Sequence, residues 1–156
     1  MPTVIHNTPI GLVPKELFNE EKIQEYWNIL YPNPQQENIG ADEMEEFYLL
    51  YPKSKDTETV HYINLMYKSM KDNFPTQTDA ICFDLSADII NLLVLKDKNI
   101  VYIGRFFFSV NEDIVYHLAH VAQHFFEDIS RVKFFYPQLP SKILRFLEKY
   151  FEMKKM

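Results

Sequence analysis

Between Ala80 and Phe108 the chain reads "AICFDLSADIINLLVLKDKNIVYIGRFFF". Three apolar runs follow one another across short polar turns, and in each run both alternating sets of side chains are largely apolar. In the first, Ile81, Phe83 and Leu85 alternate with Ala80 and Cys82. A strand with one wet face alternates apolar and polar residues, so runs like these need cover on both faces. The pattern predicts three successive strands in the middle layer of an α/β structure, with helices to cover them.

The helices are legible on either side. Ser109 and Glu112 have the spacing of a capping box for a helix over "VNEDIVYHLAHVAQHFFEDI", whose apolar stripe holds Ile114, Leu118, Val121 and Phe125. A fourth strand, "VKFFY", leads to a helix starting near Pro140 with Ile143, Leu147 and Tyr150 turned inward. The closing "EMKKM" reads as a frayed helix end whose lysines suit the negative pole of the helix dipole. The order in this half is therefore β-β-β-α-β-α.

Upstream, Asn19 is placed to cap a helix through "EEKIQEYWNIL", with Ile23, Tyr26, Trp27 and Leu30 at i, i+3, i+4, i+7 spacing and "YPNPQQ" as its stop. Residues 38–51 suggest a hairpin-like pair of strands. A further helix is expected from about Thr57, with Val60, Ile63, Tyr67, Met70 and Phe74 along one stripe and Pro75 as its end. The natural seam is "NFPTQTD", residues 73–79.

Composition narrows the function classes. With 156 residues, 47% hydrophobic and 24% charged, the chain is globular rather than disordered. A net charge of −6 and the absence of a basic patch argue against nucleic acid or an anionic membrane as partner. No leader-like segment or membrane-length apolar window is present, and Cys82 is the one cysteine, so the expected setting is the cytoplasm. Only three glycines occur, Gly11, Gly40 and Gly104, widely separated. Loops that wrap phosphates need clustered glycines for close backbone approach, and none is available here.

Two further segments carry a resemblance. "GLVPKELF", with Leu12, Val13, Pro14, Leu17 and Phe18, and "NEDIVYHL", with Glu112, Asp113 and Tyr116, are similar to matching segments of a family of uncharacterised bacterial proteins; His117 stands where that family has a second tyrosine. The resemblance implies an actin-like ATPase fold with a ribonuclease-H-like lobe and a mixed sheet. It also implies a fragment or shortened relative, with residues 1–76 a remnant of a first lobe and 77–156 the second lobe.

That fold directs attention to Asp84. In nucleotide-binding members an aspartate there, a glycine two residues on and a nearby hydroxyl hold metal and phosphate, whereas this chain supplies Asp84, Leu85, Ser86 and then Ile90. The aspartate is kept and its partners are replaced. A second candidate is metal: Asp113, His117, His120 and His124 fall within one helical stripe, with Asp113/His117 and His120/His124 as i, i+4 pairs. The bland counterpart is a polar helix edge with Asp113 supporting His117. The expectation is a binding or assembly module without catalysis or cofactor, self-associating as a homodimer with the N-terminal segment, whose apolar face around Trp27 is expected to be open, or an edge strand at the contact, or binding another protein. The alternatives are a nucleotide-dependent ATPase or switch using Asp84, and a metal-binding protein using the histidines.

Overall fold

The computed structural model describes residues 3–5, 8–32, 38–55 and 58–156. The chain divides into two compact units, Met1–Leu65 and Met66–Met156. Among the described residues no helix is long and apolar enough to cross a membrane.

The first unit contains β1 (Thr3–Ile5), β2 (Gly11–Pro14), α1 (Ile23–Leu30), β3 (Ile39–Glu43), β4 (Phe47–Pro52) and β5 (Thr59–His61). β3 and β4 form the expected antiparallel pair, with Ala41 opposite Leu50, and β2 adds to the far side of β4 with Leu12 opposite Leu49. β1 lies parallel to β5 in a separate two-stranded ribbon. Asn19 caps as expected, its side chain accepting from Glu21 N at 3.0 Å, but the turn it opens is a 3₁₀ turn that leads into α1.

Trp27 corrects one expectation. It is completely buried, at the centre of a core with Val13, Ile39 and Leu50, and Phe18, Ile23, Tyr26 and Tyr31 pack around it. Burying an indole contributes about 4–6 kcal/mol of transfer free energy, so this unit's own residues have already used the face that was expected to be open. The helix expected from Thr57 is α2 (Tyr62–Asn73); Thr57 itself lies outside the described residues, and Val60 sits in β5.

The second unit is built on β6 (Ala80–Ser86), β7 (Ile89–Lys96), β8 (Asn99–Phe107), α3 (Asn111–Phe125), β9 (Lys133–Tyr136), α4 (Ser141–Leu147) and β10 (Glu152–Lys155). Its sheet runs β10-β9-β6-β7-β8, with β6, β7 and β8 an antiparallel meander and β9 parallel to β6. On one face Ile81, Phe83, Ile90, Leu92 and Val94 meet Ile114, Leu118, Val121 and Ala122 of α3 and Leu147 of α4. The opposite set is equally buried: Ala80, Cys82, Leu93, Leu95 and Phe135, the last with its ring 4.7 Å from Phe74. The two-sided cover demanded by the apolar runs is present for β6 and β7 but not for the third run, since Val101 and Phe107 of β8 are exposed at the edge of the sheet.

The turns show how a glycine-poor chain closes tight hairpins. Asp97 and Lys98 both adopt left-handed backbone (φ 51° and 67°) between β7 and β8, as does Ala87 (φ 54°) between β6 and β7. The twist of paired strands requires positive φ at such turns, which non-glycine residues adopt at a cost of about 1–2 kcal/mol each. Contacts from the segment before β6 offset this: Asp97 N donates to Asp79 Oδ1 at 2.9 Å and Lys98 N to Thr78 O at 2.9 Å.

The C-terminal segment departs from its reading as a frayed helix. α4 ends at Leu147, Tyr150 is exposed rather than inward, and Glu152–Lys155 forms β10, parallel to β9 with Met153 opposite Phe134. An edge strand that borrows its hydrogen bonds from a neighbour needs little apolar content of its own, and Met153 supplies what packing there is. The start of α3 also differs in detail. Asp113, not Glu112, reaches back, its Oδ2 accepting from Ser109 N at 2.8 Å and Val110 N at 3.2 Å.

Candidate functional site

Asp84 lies on β6 two residues before the β6–β7 hairpin, and its side chain is buried. Strand register sets its neighbours. Asp84 stands opposite Asn91 on β7, and Asn91 stands opposite Arg105 on β8. Directly opposed residues bring their Cβ atoms to about 4.5–5.5 Å, so a carboxylate, an amide and a guanidinium form one polar row across three strands. The row shares its face with Cys82 and Leu93, away from the α3 core. Asn91 is completely buried, and neither amide atom finds a hydrogen-bond partner among the described residues.

The residues that a phosphate would need are otherwise engaged. Ser86, where a glycine would allow close approach, is a paired strand residue opposite Ile89. Ile90, where a hydroxyl would donate, is fully buried in the α3 core. The hairpin is thus held by strand pairing and packing, with the Asp84 row on the face away from α3.

The histidine stripe of α3 is split among aromatic partners. His117 stacks on Phe106 with ring centroids 4.6 Å apart, and its Nε2 lies 3.2 Å from Phe107 O. His120 stacks on Tyr116 and His124 meets Phe125 edge-on. Asp113 spends Oδ2 on two backbone amides, whose hydrogen bonds, with a smaller contribution from His117, hold its pKa below the usual carboxylate value. Among the described residues no group of three or more His, Cys, Asp or Glu side chains gathers as a metal site.

Cys82 is buried beside the polar row, and burial pushes its thiol up to about 12. A thiol held neutral is a poor nucleophile and a poor metal ligand at physiological pH.

A polar cluster in the first unit escaped the sequence reading. The Tyr51 hydroxyl lies 2.9 Å from Asp42 Oδ1 and 3.0 Å from Thr59 O and donates its one proton to one of them. Asp42 Oδ2 accepts from Asn64 Nδ2 at 3.1 Å and from His61 N at 3.4 Å, and His61 Nδ1 accepts from Ile63 N at 3.2 Å. That last bond places the proton of a neutral His61 ring on Nε2. Burial first, and Asp42 second, raise the Tyr51 pKa, keeping the phenol protonated. The cluster satisfies donors at the start of α2 and ties Ile63 and Asn64, within the first unit, to the neighbouring strands.

The family of proteins of unknown function DUF3822 has a model that matches residues 3–134. The chain belongs to that family. No curated protein matches the sequence. A solved structure from Bacteroides thetaiotaomicron VPI-5482, a protein with actin-like ATPase fold and unknown function, superposes with a TM-score of 0.78 at 13% identity. The match covers 98% of this DUF3822 chain and 66% of the Bacteroides one. The fold is therefore the actin-like ATPase fold, as the two short segments implied, and the DUF3822 chain spans about two-thirds of the length of that relative.

Proposed function

We propose that this DUF3822 chain is a non-catalytic member of the actin-like ATPase fold that works by holding another polypeptide rather than by turning over nucleotide. The observation that carries this reading is the β6–β7 hairpin. Ile90 is buried in the α3 core and Ser86 is locked in strand pairing, so the positions a phosphate would contact serve packing instead. Close backbone approach without glycine and charge neutralisation without a donor would both have to be supplied anew. The aromatic surface of the second unit supports a protein partner: Phe107 is 73% exposed, Tyr116 65% and Val110 53%. Large apolar side chains left exposed at the end of β8, just before α3 and on α3 are usual ingredients of a protein contact.

Thermal melting with and without millimolar Mg-ATP or ADP tests the reading. A ligand at about 100 times its dissociation constant stabilises by about 2.7 kcal/mol, which for a chain of this size is a rise of roughly 5–11 °C. An unchanged melting temperature is expected. A rise of that order, lost in Asp84→Asn, would overturn the reading in favour of a nucleotide switch.

A further inference from the structure

A cavity of about 250 Å³ opens in the surface of the first unit, between the turn that follows Asn19 and the β3–β4 hairpin. Its apolar side is the outer layer of the Trp27 core: Ile39 belongs to that core, Phe18, Ile23 and Ala41 pack against it, and all four line the cavity. Ile39 and Ala41 share one face of β3, and the small Ala41 leaves room that a larger side chain would fill. Tyr48 completes the wall, its ring stacked on Phe18 with centroids 3.6 Å apart.

The charges of the lining are Glu20 and Lys53, both exposed. Each sits on ordered backbone. Glu20 opens the 3₁₀ turn capped by Asn19, and Lys53 N donates to Asn38 O at 2.9 Å. Among the described residues neither side chain forms an ion pair or a hydrogen bond, with the other or with a third group. The neighbouring Lys15 and Glu43 are joined to each other at 2.9 Å and do not compete. The cavity beside the end of α3 shows the contrast. There Lys96 Nζ donates to Phe125 O, Asp79 Oδ1 accepts from Asp97 N, and Asp128 pairs with Arg131, so its charges already have partners within the chain.

We propose that the cavity of the first unit binds a free α-amino acid with an aliphatic side chain. The side chain leaves water against Ile23, Ile39 and Ala41, the carboxylate faces Lys53 and the ammonium faces Glu20. A free amino acid carries one charge of each sign on a single carbon. Inside a polypeptide both are replaced by amide groups, and at a chain end one is, so two unpaired charges of opposite sign select the free molecule. The proposal stands apart from the protein-holding reading, which rests on the second unit.

Trp27 is the one tryptophan of the chain and lies in the core beneath the cavity, so its fluorescence reports occupancy. Titrating the full chain with L-leucine should give a saturable change in the millimolar range, with amide shifts at Gly40 and Ala41. Leucinamide, which lacks the carboxylate, and N-acetylleucine, which lacks the ammonium, should each bind about two- to fivefold more weakly, the size of one exposed ion pair. Glycine, which lacks the side chain, should not saturate over the same range. Lys53→Gln and Glu20→Gln change exposed positions, so each variant should melt as wild type does. Lys53→Gln should abolish the preference for leucine over leucinamide and keep the preference over N-acetylleucine; Glu20→Gln should do the reverse. Absence of a saturable response to leucine overturns the site. A response equal for all four ligands, or one that both variants leave unchanged, overturns the assignment of Glu20 and Lys53 and with it the zwitterion. None of these results touches the Mg-ATP melt, on which the non-catalytic reading stands or falls separately.

Discussion

Replacing Asn91 by leucine is expected to stabilise the protein. Leucine has the branching of asparagine, with methyl groups where the amide oxygen and nitrogen stood. Asn91 is completely buried on the central strand β7, and both of its amide atoms are without partners among the described residues. An amide buried without hydrogen bonds costs about 1–3 kcal/mol, and replacement by an apolar group of the same shape removes that cost. The methyls are slightly larger than the atoms they replace, which offsets up to about 1 kcal/mol through crowding against Leu93 and its neighbours. The net gain is about 1–2 kcal/mol, or roughly 2–8 °C in melting temperature for a chain of this length. Thermal melts and urea titrations would read it, the urea midpoint rising with an unchanged slope. A fall of 1 kcal/mol or more would refute the reasoning, because it would mean that the amide is bonded in solution, to a buried water or a ligand lodged in the Asp84–Asn91–Arg105 row.

Two further expectations follow from titratable groups. The Asp113 carboxylate has a folded-state pKa below its ordinary 3.8, so its contribution is complete above that value and is lost as pH falls through the folded pKa. Wild type should melt higher than Asp113→Asn at neutral pH, and the gap should close on acidification; a gap independent of pH would contradict the assignment of Asp113 as the group that holds Ser109 N and Val110 N. Cys82, with its thiol raised to about 12, should resist thiol reagents at pH 8 in the native state and react at once in denaturant; rapid native labelling would show that its strand is not covered as described.

The meander and its covering helices were legible because a strand buried on both faces leaves a run that no other element produces at that length. "IINLLVL" and "DAICFDL" carry that mark, and Ile114, Leu118 and Val121 carry the complementary helical one. β10 carried no such mark. Glu152, Lys154 and Lys155 dominate it, and what makes it a strand is the backbone of β9 alongside, a tertiary fact. β1 and β5, at three residues each, are too short for any period to register. Of the polar row, Asp84 was visible as a lone charge in an apolar run, but its link to Asn91 and Arg105 exists only through strand register. The Asp42–Tyr51–His61–Asn64 cluster is scattered over three strands and a helix start, and no spacing rule joins such residues. The histidines of α3 show the converse: helical spacing put them on one stripe, and stacking on Phe106, Tyr116 and Phe125 gave each ring a separate aromatic neighbour.

The position of β9 in the sheet has a kinetic consequence. β6 joins β7 and β7 joins β8 through tight turns, so the meander assembles from contacts close together in the chain. On its other side β6 receives β9, which is reached only after the whole of β7, β8 and α3. Closing that long loop costs entropy before any pairing repays it, so β9 docks late and β10 later still. By that reasoning the slow step of folding is the closure that sets β9 beside β6, while the three non-glycine residues that must enter left-handed backbone slow only the hairpins that precede it.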